Sequence, residues 1–345
     1  MSCPPASAAP PEPYPGHDPG PLSQRWCFRA TGTRWQLLTA SPLSSALRTH
    51  LTALVADFED VWSRFRPDSL IRRAADGRLG AGALTLDLPP GSAVLLDLYD
   101  RVHRATGGRV DPLVGADLIE LGYDPDYSFT VRRGAASRLG AAHGRATWAR
   151  DARHDGDRLH LARPTLIDVG AVGKGFLVDI LFHELRAADV GAFVIDGSGD
   201  LRVSSPEPVR IGLEDPRRTG RVIGVVSLAD AAVCASAINR RSWGDGLHHL
   251  LDARSGLPVR GALASWAMAA TCAEADALAT ALFLTSPQEL ARAGFRYDFV
   301  LMSTDGSVAL SRGFADIPGE IFTARTDQTD EADGTRRARG DLASA

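Results

Sequence analysis

The stretch Asp168–Asp179, which reads Asp-Val-Gly-Ala-Val-Gly-Lys-Gly-Phe-Leu-Val-Asp, has the residue types that hold a phosphate. Three glycines, Gly170, Gly173 and Gly175, surround Lys174 and follow a short apolar run. Glycine lets the backbone come close to a ligand and leaves N–H groups free to bind an anion. A helix that begins in this turn would direct its positive end at the same anion. The stretch therefore indicates a site for a phosphate or a pyrophosphate.

The spacing of this stretch differs from that of two common phosphate loops. A P-loop needs a glycine five residues before Gly173 and a Ser or Thr after the lysine. Asp168 and Gly175 occupy those two positions. The Rossmann pattern G-x-G-x-x-G does not fit Gly170 and Gly173, and it loses its last glycine in the stretch 197–202. On spacing alone the stretch is a tight strand-to-helix turn, so its function depends on the other motifs.

Two further motifs offer ligands for a cation and a group for proton transfer. Asp276 and Thr280 are four residues apart among alanines, so a helix places their carboxylate and hydroxyl on one face. This pair suits a hard cation such as Mg²⁺, although a helix-end charge and a core threonine would give the same pattern. His249 follows His248 and precedes Asp252 by three residues. Near a phosphate it would act as an acid or a base, but a histidine that merely alternates along a strand is the commoner case.

The elements that must position these residues do not alternate regularly along the chain. Hydrophobic spacing predicts long helices over Ser44–Phe58, Ser92–Thr106 and Glu274–Leu284. Strands are predicted at 25–39 with a break at 31–33, and at 147–149, 158–162, 192–195, 209–213, 222–228, 232–236, 248–252, 265–270, 299–302 and 308–310. Strands that occur in runs, with helices between the runs, indicate the α+β class.

Composition limits the classes of partner. The chain has 345 residues, is 44% hydrophobic and carries a net charge of -4. It has no basic excess that would favour nucleic acid or an anionic membrane, and no apolar run long enough to span a bilayer. The four cysteines are scattered and indicate neither a zinc site nor a disulfide framework.

The two ends of the chain differ in composition from its middle. Residues 1–22 are rich in Pro, Ala and Ser and have no apolar core of a signal peptide. We expect a disordered extension over 1–22, one domain over 23–326 and a disordered tail over 327–345. The expected location is cytoplasmic.

The order and spacing of these motifs resemble the family of ApbE-type FAD:protein FMN transferases. The family pattern Asp-Leu-Gly-x-x-x-Lys-Gly-Tyr-x-x-Asp matches 168–179, and its His-(Ile/Leu)-(Ile/Leu)-Asp-Pro-x-Thr-Gly-x-Pro matches 249–258. Its Ala-Asp-Ala-Leu-(Ser/Ala)-Thr-Ala matches 275–281, and its Thr-Gly-Gly-x-Phe-Asp-Pro matches 106–112. Its Met-Gly-Thr and Tyr/Phe-x-x-x-Ser stretches match 31–33 and 65–69. The resemblance thus extends from about Thr31 to Leu310.

The resemblance implies both a fold and an activity. The fold would be ApbE-like α+β, with mixed, largely antiparallel sheets and packed helices. The activity would be Mg²⁺-dependent transfer of FMN from FAD to a Thr or Ser hydroxyl of an acceptor flavoprotein, with release of AMP. The chain departs from the family at Ser236–Asn239, at Ala253 and at Ser198, which stand for Ser-Gly-x-Tyr, a proline and a glycine. These departures would change how the flavin fits the site or which acceptor protein is chosen.

The resemblance also implies roles for individual residues. The FAD pocket would be formed by Thr31, Phe65, Arg109, Val110, Asp111, Asp168, Gly170, Gly173 and Lys174. The side chains of Asp276 and Thr280 and the backbone carbonyl of Ala171 would hold Mg²⁺. His249 would act on the acceptor hydroxyl or the attacked phosphate, with Asp252 orienting it.

Three alternatives to the transferase stay open. Water in place of the acceptor hydroxyl would make the same site an FAD pyrophosphatase, which yields FMN and AMP. A flavin-binding module without turnover is the second, and the altered segment Ser236–Asn239 favours it. The third is a soluble α+β domain whose motifs are structural.

Overall fold

The computed structural model describes residues 22–218, 220–315, 319–321, 325–326 and 335–339. Its helices, in chain order, are α1 (Ser45–Trp62), α2 (Leu70–Ala75), α3 (Ser92–Ala105), α4 (Gly115–Glu120), α5 (Trp148–Asp151), α6 (Gly173–Ala187), α7 (Cys272–Ala281) and α8 (Pro287–Arg292). Its strands are β1 (Gln24–Ala30), β2 (Thr33–Thr39), β3 (Leu84–Asp87), β4 (Ala152–Asp155), β5 (Arg158–Leu161), β6 (Phe193–Asp196), β7 (Asp200–Ser204), β8 (Val209–Glu214), β9 (Val222–Leu228), β10 (Ala232–Ala237), β11 (Ser242–Trp243), β12 (Leu247–His248), β13 (Leu251–Asp252), β14 (Leu257–Pro258), β15 (Ala262–Ala269), β16 (Asp298–Ser303), β17 (Ser307–Ser311), β18 (Gly319–Ile321), β19 (Arg325–Thr326) and β20 (Thr335–Arg339).

One ten-stranded sheet forms the centre of the fold, in the order β1-β2-β6-β7-β10-β15-β16-β17-β20-β19. Each of its strand pairs in the described part of the chain is antiparallel. Two small sheets, β3-β5-β4 and β18-β9-β8, and the pairs β11-β12 and β13-β14 complete the set. The predicted α+β class with largely antiparallel sheets is confirmed.

The two faces of the large sheet are both covered, and the side-chain period of two assigns each residue to one of them. Ile195, Cys234 and Ala267 face the core that contains α1, α3, α6 and α7. Their sequence neighbours Val194 and Val233 face the second core, which is shared with β8 and β9. The sheet is therefore the middle of three layers, with the helices on one side.

Helix α1 shows how the sequence sets this packing. The Ser44 hydroxyl accepts a hydrogen bond from the Leu47 N–H at 3.2 Å and so caps the first turn. Leu51, Val55 and Phe58 recur every three or four residues and are buried in the helical core, where α1 packs against α6. The predicted helix over 44–58 thus exists and runs four residues further, to Trp62.

Two predicted elements differ from the structure. Residues 147–149 were predicted as a strand paired with 158–162, but Trp148 begins α5, and β5 pairs with β3 and β4 instead. The Trp148 N–H donates to Asp111 at 3.0 Å, and this bond from a distant segment favours a turn over an extended strand. Within the predicted disordered tail, 335–339 form β20, which pairs with β17 and β19. Residues 1–21, 327–334 and 340–345 lie outside the described part.

No helix among the described residues combines the length and the apolar character that a bilayer crossing needs.

Candidate active site

The glycine-rich turn leads into α6 as the sequence predicts. The Gly170 N–H donates to Asp168 Oδ1 at 2.6 Å, and the Gly173 N–H donates to the Val169 carbonyl at 2.6 Å. A Cβ on Gly173 would lie 2.7 Å from Cγ2 of Val169, so a larger residue here would displace the Val169 side chain. Helix α6 begins at Gly173, so the positive end of its dipole lies at the turn.

Helices α6 and α7 meet at Gly175. Its N–H donates to Asp276 Oδ2 at 3.0 Å. A Cβ at this position would lie 2.7 Å from the Cys272 carbonyl carbon and 2.8 Å from Asp276 Cβ. The Asp179 carboxylate on the next turn accepts from the N–H groups of Cys272 and Ala273, both at 2.9 Å, and caps α7. These contacts hold the glycine turn and Asp276 in one rigid unit.

Asp276 and Thr280 present oxygens from one face of α7, as their spacing predicts. Asp276 is 2% exposed and Thr280 8% exposed, and the Thr280 hydroxyl lies 3.3 Å from the Ser236 hydroxyl. Burial raises the pKa of the Asp276 carboxyl, while the charge of Lys174 and the Gly175 N–H act in the opposite direction. Among the described residues none donates a hydrogen bond to Asp276 Oδ1, so this oxygen is available as a ligand.

The chemistry of these donors fits Mg²⁺. The described part of the chain has no group of three or more His, Cys, Asp or Glu side chains that would hold a metal. A cation at Asp276 would therefore have one carboxylate, a hydroxyl and backbone oxygen as its protein ligands. Mg²⁺ is commonly bound by one or two carboxylates together with water and substrate phosphates. Ala171, the predicted carbonyl ligand, precedes the start of α6 by two residues and is half-buried.

Lys174 projects from the first turn of α6 and forms an ion pair with Asp200. The Asp200 side chain is fully buried, and its Oδ1 has no hydrogen-bond partner in the described part of the chain. The charge of Lys174 acts on the pKa values of both Asp276 and His249, so Lys174 lies within electrostatic reach of these two residues. An anion placed at the turn would meet this ammonium group and the helix end together.

His249 is half-buried, with Nδ1 3.4 Å from the Arg241 carbonyl oxygen. Burial, and then the positive charge of Arg241, lower the pKa of its imidazole to about 3. The ring is therefore neutral above that pH. A proton on Nδ1, directed at the Arg241 carbonyl, leaves the lone pair of Nε2 available to accept a proton.

Asp252 does not contact His249 within the described residues, which differs from its predicted orienting role. Its Oδ1 accepts from the Arg254 N–H at 2.9 Å, and its Oδ2 lies 3.7 Å from Nε of Arg109. Its backbone carbonyl accepts from the Gly256 N–H at 2.7 Å. Asp252 thus closes the turn after β13 and links it to the segment 106–112.

The segment Arg109–Asp111 is held mainly by internal contacts. Arg109 is largely exposed and donates to the Leu284 carbonyl at 2.6 Å. Val110 and Asp111 are each 4% exposed. The Asp111 carboxylate accepts from the N–H groups of Leu113 at 2.8 Å and Trp148 at 3.0 Å. Both carboxylate oxygens of Asp111 therefore bond to the protein. The side chain supports the wall of a pocket at this segment and does not line it.

Thr31 and Phe65 are both held near the C-terminal end of α1 and the loop that follows it. Thr31 has a left-handed backbone, with φ of 50°, and its N–H donates to Glu59 at 2.5 Å. The Arg64 guanidinium lies 4.1 Å from the Phe65 ring centroid and bonds Asp168 at 2.5 Å. Phe65 is therefore connected to the start of the turn through one ion pair.

Several residues that build the site were not singled out by sequence reasoning. Arg64 and Asp200 each pair with a predicted residue, and Asp179 caps α7 although it ended the predicted motif without a role. A buried ion pair between distant segments leaves no pattern in a single sequence. The signal that existed was the acid at each end of the stretch Asp168–Asp179.

Two curated proteins are similar to most of this chain. A curated relative from Rhodobacter capsulatus, named FAD:protein FMN transferase, is 26% identical over 298 residues, which are 81% of this chain and 55% of that protein. One of the same name from Treponema pallidum is 28% identical over 297 residues, 76% of this chain and 81% of that protein. The chain thus spans about half the length of the first relative and most of the second.

Solved structures of similar fold cover nearly all of the described domain. An ApbE protein from Thermotoga maritima superposes with a TM-score of 0.74 at 21% identity, over 85% of this chain and 98% of the other. The flavin transferase ApbE from Vibrio cholerae gives 0.71 at 18% identity, over 85% and 99% of the two chains. The ApbE family model matches residues 31–295, which include the glycine turn, His249, Asp276 and Thr280. The chain therefore belongs to the ApbE family.

Proposed function

We propose that this protein is a Mg²⁺-dependent FAD:protein FMN transferase. It would move FMN from FAD to a Thr or Ser hydroxyl of an acceptor flavoprotein and release AMP. The observation that supports the proposal is the hydrogen bond from the Gly175 N–H to Asp276, because it joins the positive end of α6 to the buried Asp276 carboxylate. The names of the two curated relatives support the same reaction.

The chain's own groups would bind the pyrophosphate of FAD from two sides. The positive end of the α6 dipole and the Lys174 ammonium would supply positive charge on one side. Asp276, Thr280 and the Ala171 carbonyl would hold Mg²⁺ on the other. Bound Mg²⁺ would neutralise the pyrophosphate charge and stabilise AMP as the leaving group. The flavin nucleotide would start at the turn, next to Asp168, Gly170 and Gly173, and extend toward Thr31 and Phe65. Arg109 and Val110 would lie beside it, with Asp111 behind them.

His249 would accept the proton of the acceptor hydroxyl. The hydroxyl oxygen attacks the FMN phosphorus, the bond from that phosphorus to the bridging oxygen breaks, and AMP departs with the bridging oxygen. The proton moves to Nε2 of His249, which is neutral because its pKa is lowered to about 3. The negative charge of bound FAD would raise that pKa and so strengthen the base when substrate is present.

A single experiment tests the proposal against its alternatives. AMP release from FAD is measured with Mg²⁺, with and without a purified flavin-acceptor protein, for the wild type, Asp276→Ala and Thr280→Val. We expect AMP only when the acceptor is present, and a loss on the order of 100-fold in Asp276→Ala, because a bound cation stabilises the leaving group by several kcal/mol. AMP without the acceptor would indicate the FAD pyrophosphatase. FAD binding without AMP in either condition would indicate the non-catalytic binding module. If the protein neither binds FAD nor releases AMP, the remaining interpretation is a domain whose motifs are structural.

The matched control for these variants is Ala275→Ser. Ala275 adjoins Asp276 on α7 and is fully buried, so it reports what a small polar change in the same turn costs the fold. We expect Ala275→Ser to lower stability while AMP release persists in the fraction that is folded. Equal loss in Ala275→Ser and Asp276→Ala would contradict the assigned role of Asp276.

A further inference from the structure

The segment Tyr123–Val131 places an exposed aromatic surface beside Phe65. Tyr127, Phe129 and Val131 are 43%, 44% and 46% exposed, and they belong to the few large apolar side chains of the described residues that are so exposed. A patch of this kind on a soluble protein commonly marks a place where another molecule binds. No residue of this segment was assigned a role in the function proposed above.

The Tyr127 ring is stacked on Phe65. The two centroids are 5.1 Å apart and the planes differ by 2°, whereas Tyr127 and Phe129 are tilted by 58° with centroids 6.0 Å apart. The Tyr127 hydroxyl also approaches Gly32, to 3.7 Å from where a Cβ would be. Tyr127 therefore covers one face of the Phe65 ring and reaches the turn between β1 and β2.

The backbone of this segment is held in an unusual conformation. Tyr127 and Phe129 have φ of 51° and 49°, a left-handed region that aromatic residues rarely adopt. The Asp124 carboxylate accepts from the Ser128 N–H at 2.9 Å and from its hydroxyl at 2.7 Å. The Phe129 N–H donates to the Gly122 carbonyl at 2.8 Å. These contacts hold the backbone in the conformation that positions the Tyr127 ring on Phe65.

The stack is connected to the phosphate end of the site. Arg64 lies over Phe65 and bonds Asp168, and Asp168 accepts from the Gly170 N–H. A ligand with its phosphate at the glycine turn and a flat ring system attached would thus find its apolar, planar surface at Phe65 and Tyr127. Flat rings prefer offset stacking on aromatic side chains.

We propose that Tyr127 is a flavin-binding residue whose ring stacks on the isoalloxazine of FAD, opposite Phe65. This inference rests on the proposed function and adds to it a residue that fixes the position and the choice of the ring system. Entry of the isoalloxazine requires Tyr127 to move away from Phe65 by about one ring thickness, roughly 3.5 Å. The half-exposed position of Tyr127 permits that movement without opening the core.

The test measures binding of FMN, FAD and ADP to the full chain with Mg²⁺, by flavin fluorescence for FMN and by calorimetry for all three. The variants are Tyr127→Leu, Tyr127→Phe and Phe129→Leu. Phe129 is the matched control, because it has nearly the same exposure and backbone conformation but packs on Tyr123 and Trp243 rather than on Phe65.

We expect Tyr127→Leu to weaken FMN and FAD by about three- to tenfold, with ADP unchanged. Tyr127→Phe and Phe129→Leu are expected to stay within twofold of the wild type. Equal affinity or tighter binding in Tyr127→Leu would overturn the inference, since Tyr127 would then be neutral or an obstruction. A loss for ADP and FAD, with FMN unaffected, would overturn it in favour of an adenine site. A wild type that binds neither FMN nor FAD would instead refute the proposed function itself.

Discussion

Replacement of Gly175 by alanine is the perturbation that most directly tests the α6–α7 unit. The added Cβ would lie 2.7 Å from the Cys272 carbonyl carbon and 2.8 Å from Asp276 Cβ. Carbon atoms in contact are ordinarily about 3.5–4.0 Å apart, so the helices would have to separate locally by roughly 1 Å. Overpacking of this kind costs about 1–3 kcal/mol of stability. We therefore expect the free energy of unfolding of Gly175→Ala to fall by about that amount.

The same displacement should impair the site more than the fold. Separation of the helices moves Asp276 away from the glycine turn and weakens its hydrogen bond from the Gly175 N–H, which is 3.0 Å in the wild type. A misplacement of about 1 Å at a reactive centre lowers the rate on the order of 100-fold. The assays are urea unfolding of the apo protein, the rate of AMP release from FAD with the acceptor protein, and FAD titration in the presence and absence of Mg²⁺. We expect Gly175→Ala to lose the increase in FAD affinity that Mg²⁺ gives the wild type.

Two other glycines provide controls for the Gly175→Ala experiment. Gly191 is exposed and has no atom within 4 Å of the added Cβ, so Gly191→Ala should change stability by no more than about 0.5 kcal/mol. Gly173→Ala should give an intermediate loss, because its Cβ meets the side chain of Val169 rather than a neighbouring backbone. The reasoning is refuted if Gly175→Ala matches Gly191→Ala in stability and keeps a wild-type response to Mg²⁺.

Three further outcomes follow from the charged groups of the site. In Lys174→Met the fully buried Asp200 loses its ion-pair partner, so we expect the free energy of unfolding in urea to fall by about 3–5 kcal/mol. The double variant with Asp200→Asn should recover part of this stability. No loss in the single variant would contradict the pairing. The pKa of His249 is about 3 in the folded protein and 6.5 in the unfolded chain, so between these values the unfolded chain binds one more proton. Stability therefore falls as the pH falls from 6.5 toward 3, by at most about 1.4 kcal/mol per pH unit. His249→Gln should remove that part of the slope in denaturant melts at pH 4–7, and equal slopes would show that the ring is not buried in its neutral form. Arg64→Met should lower stability by about 3 kcal/mol or more and weaken FAD binding, since the guanidinium is buried and bonds Asp168; wild-type values for both would argue against a link between Phe65 and the turn.

Local patterns in the sequence were sufficient for the parts of the fold that they determine directly. The helix over Ser92–Ala105 and the hairpin β1–β2 agree with the predicted periodicity to within a few residues. The spacing of Asp276 and Thr280 placed both on one buried face of α7. The segment 147–149 failed because its conformation is set by the hydrogen bond from Trp148 to Asp111, which lies 37 residues earlier in the chain.

The parts of the site that could not be predicted depend on contacts between distant segments. Gly175 was recognised as a glycine of a turn, but its close approach to Cys272 depends on how α6 crosses α7. The pairs Lys174–Asp200 and Arg64–Asp168 likewise arise only when the large sheet and the helices are assembled. A single sequence supplies no information on such pairs, whereas a motif match supplies the residue types without their partners.

The most direct test of the transferase is the intact mass of a purified acceptor protein after incubation with this protein, FAD and Mg²⁺. The account predicts a gain of one FMN less one water on a single Thr or Ser, absent in Asp276→Ala and retained in Ala275→Ser. An acceptor of unchanged mass, in a reaction that nevertheless releases FMN and AMP, would contradict transfer and leave hydrolysis of FAD as the activity of the site.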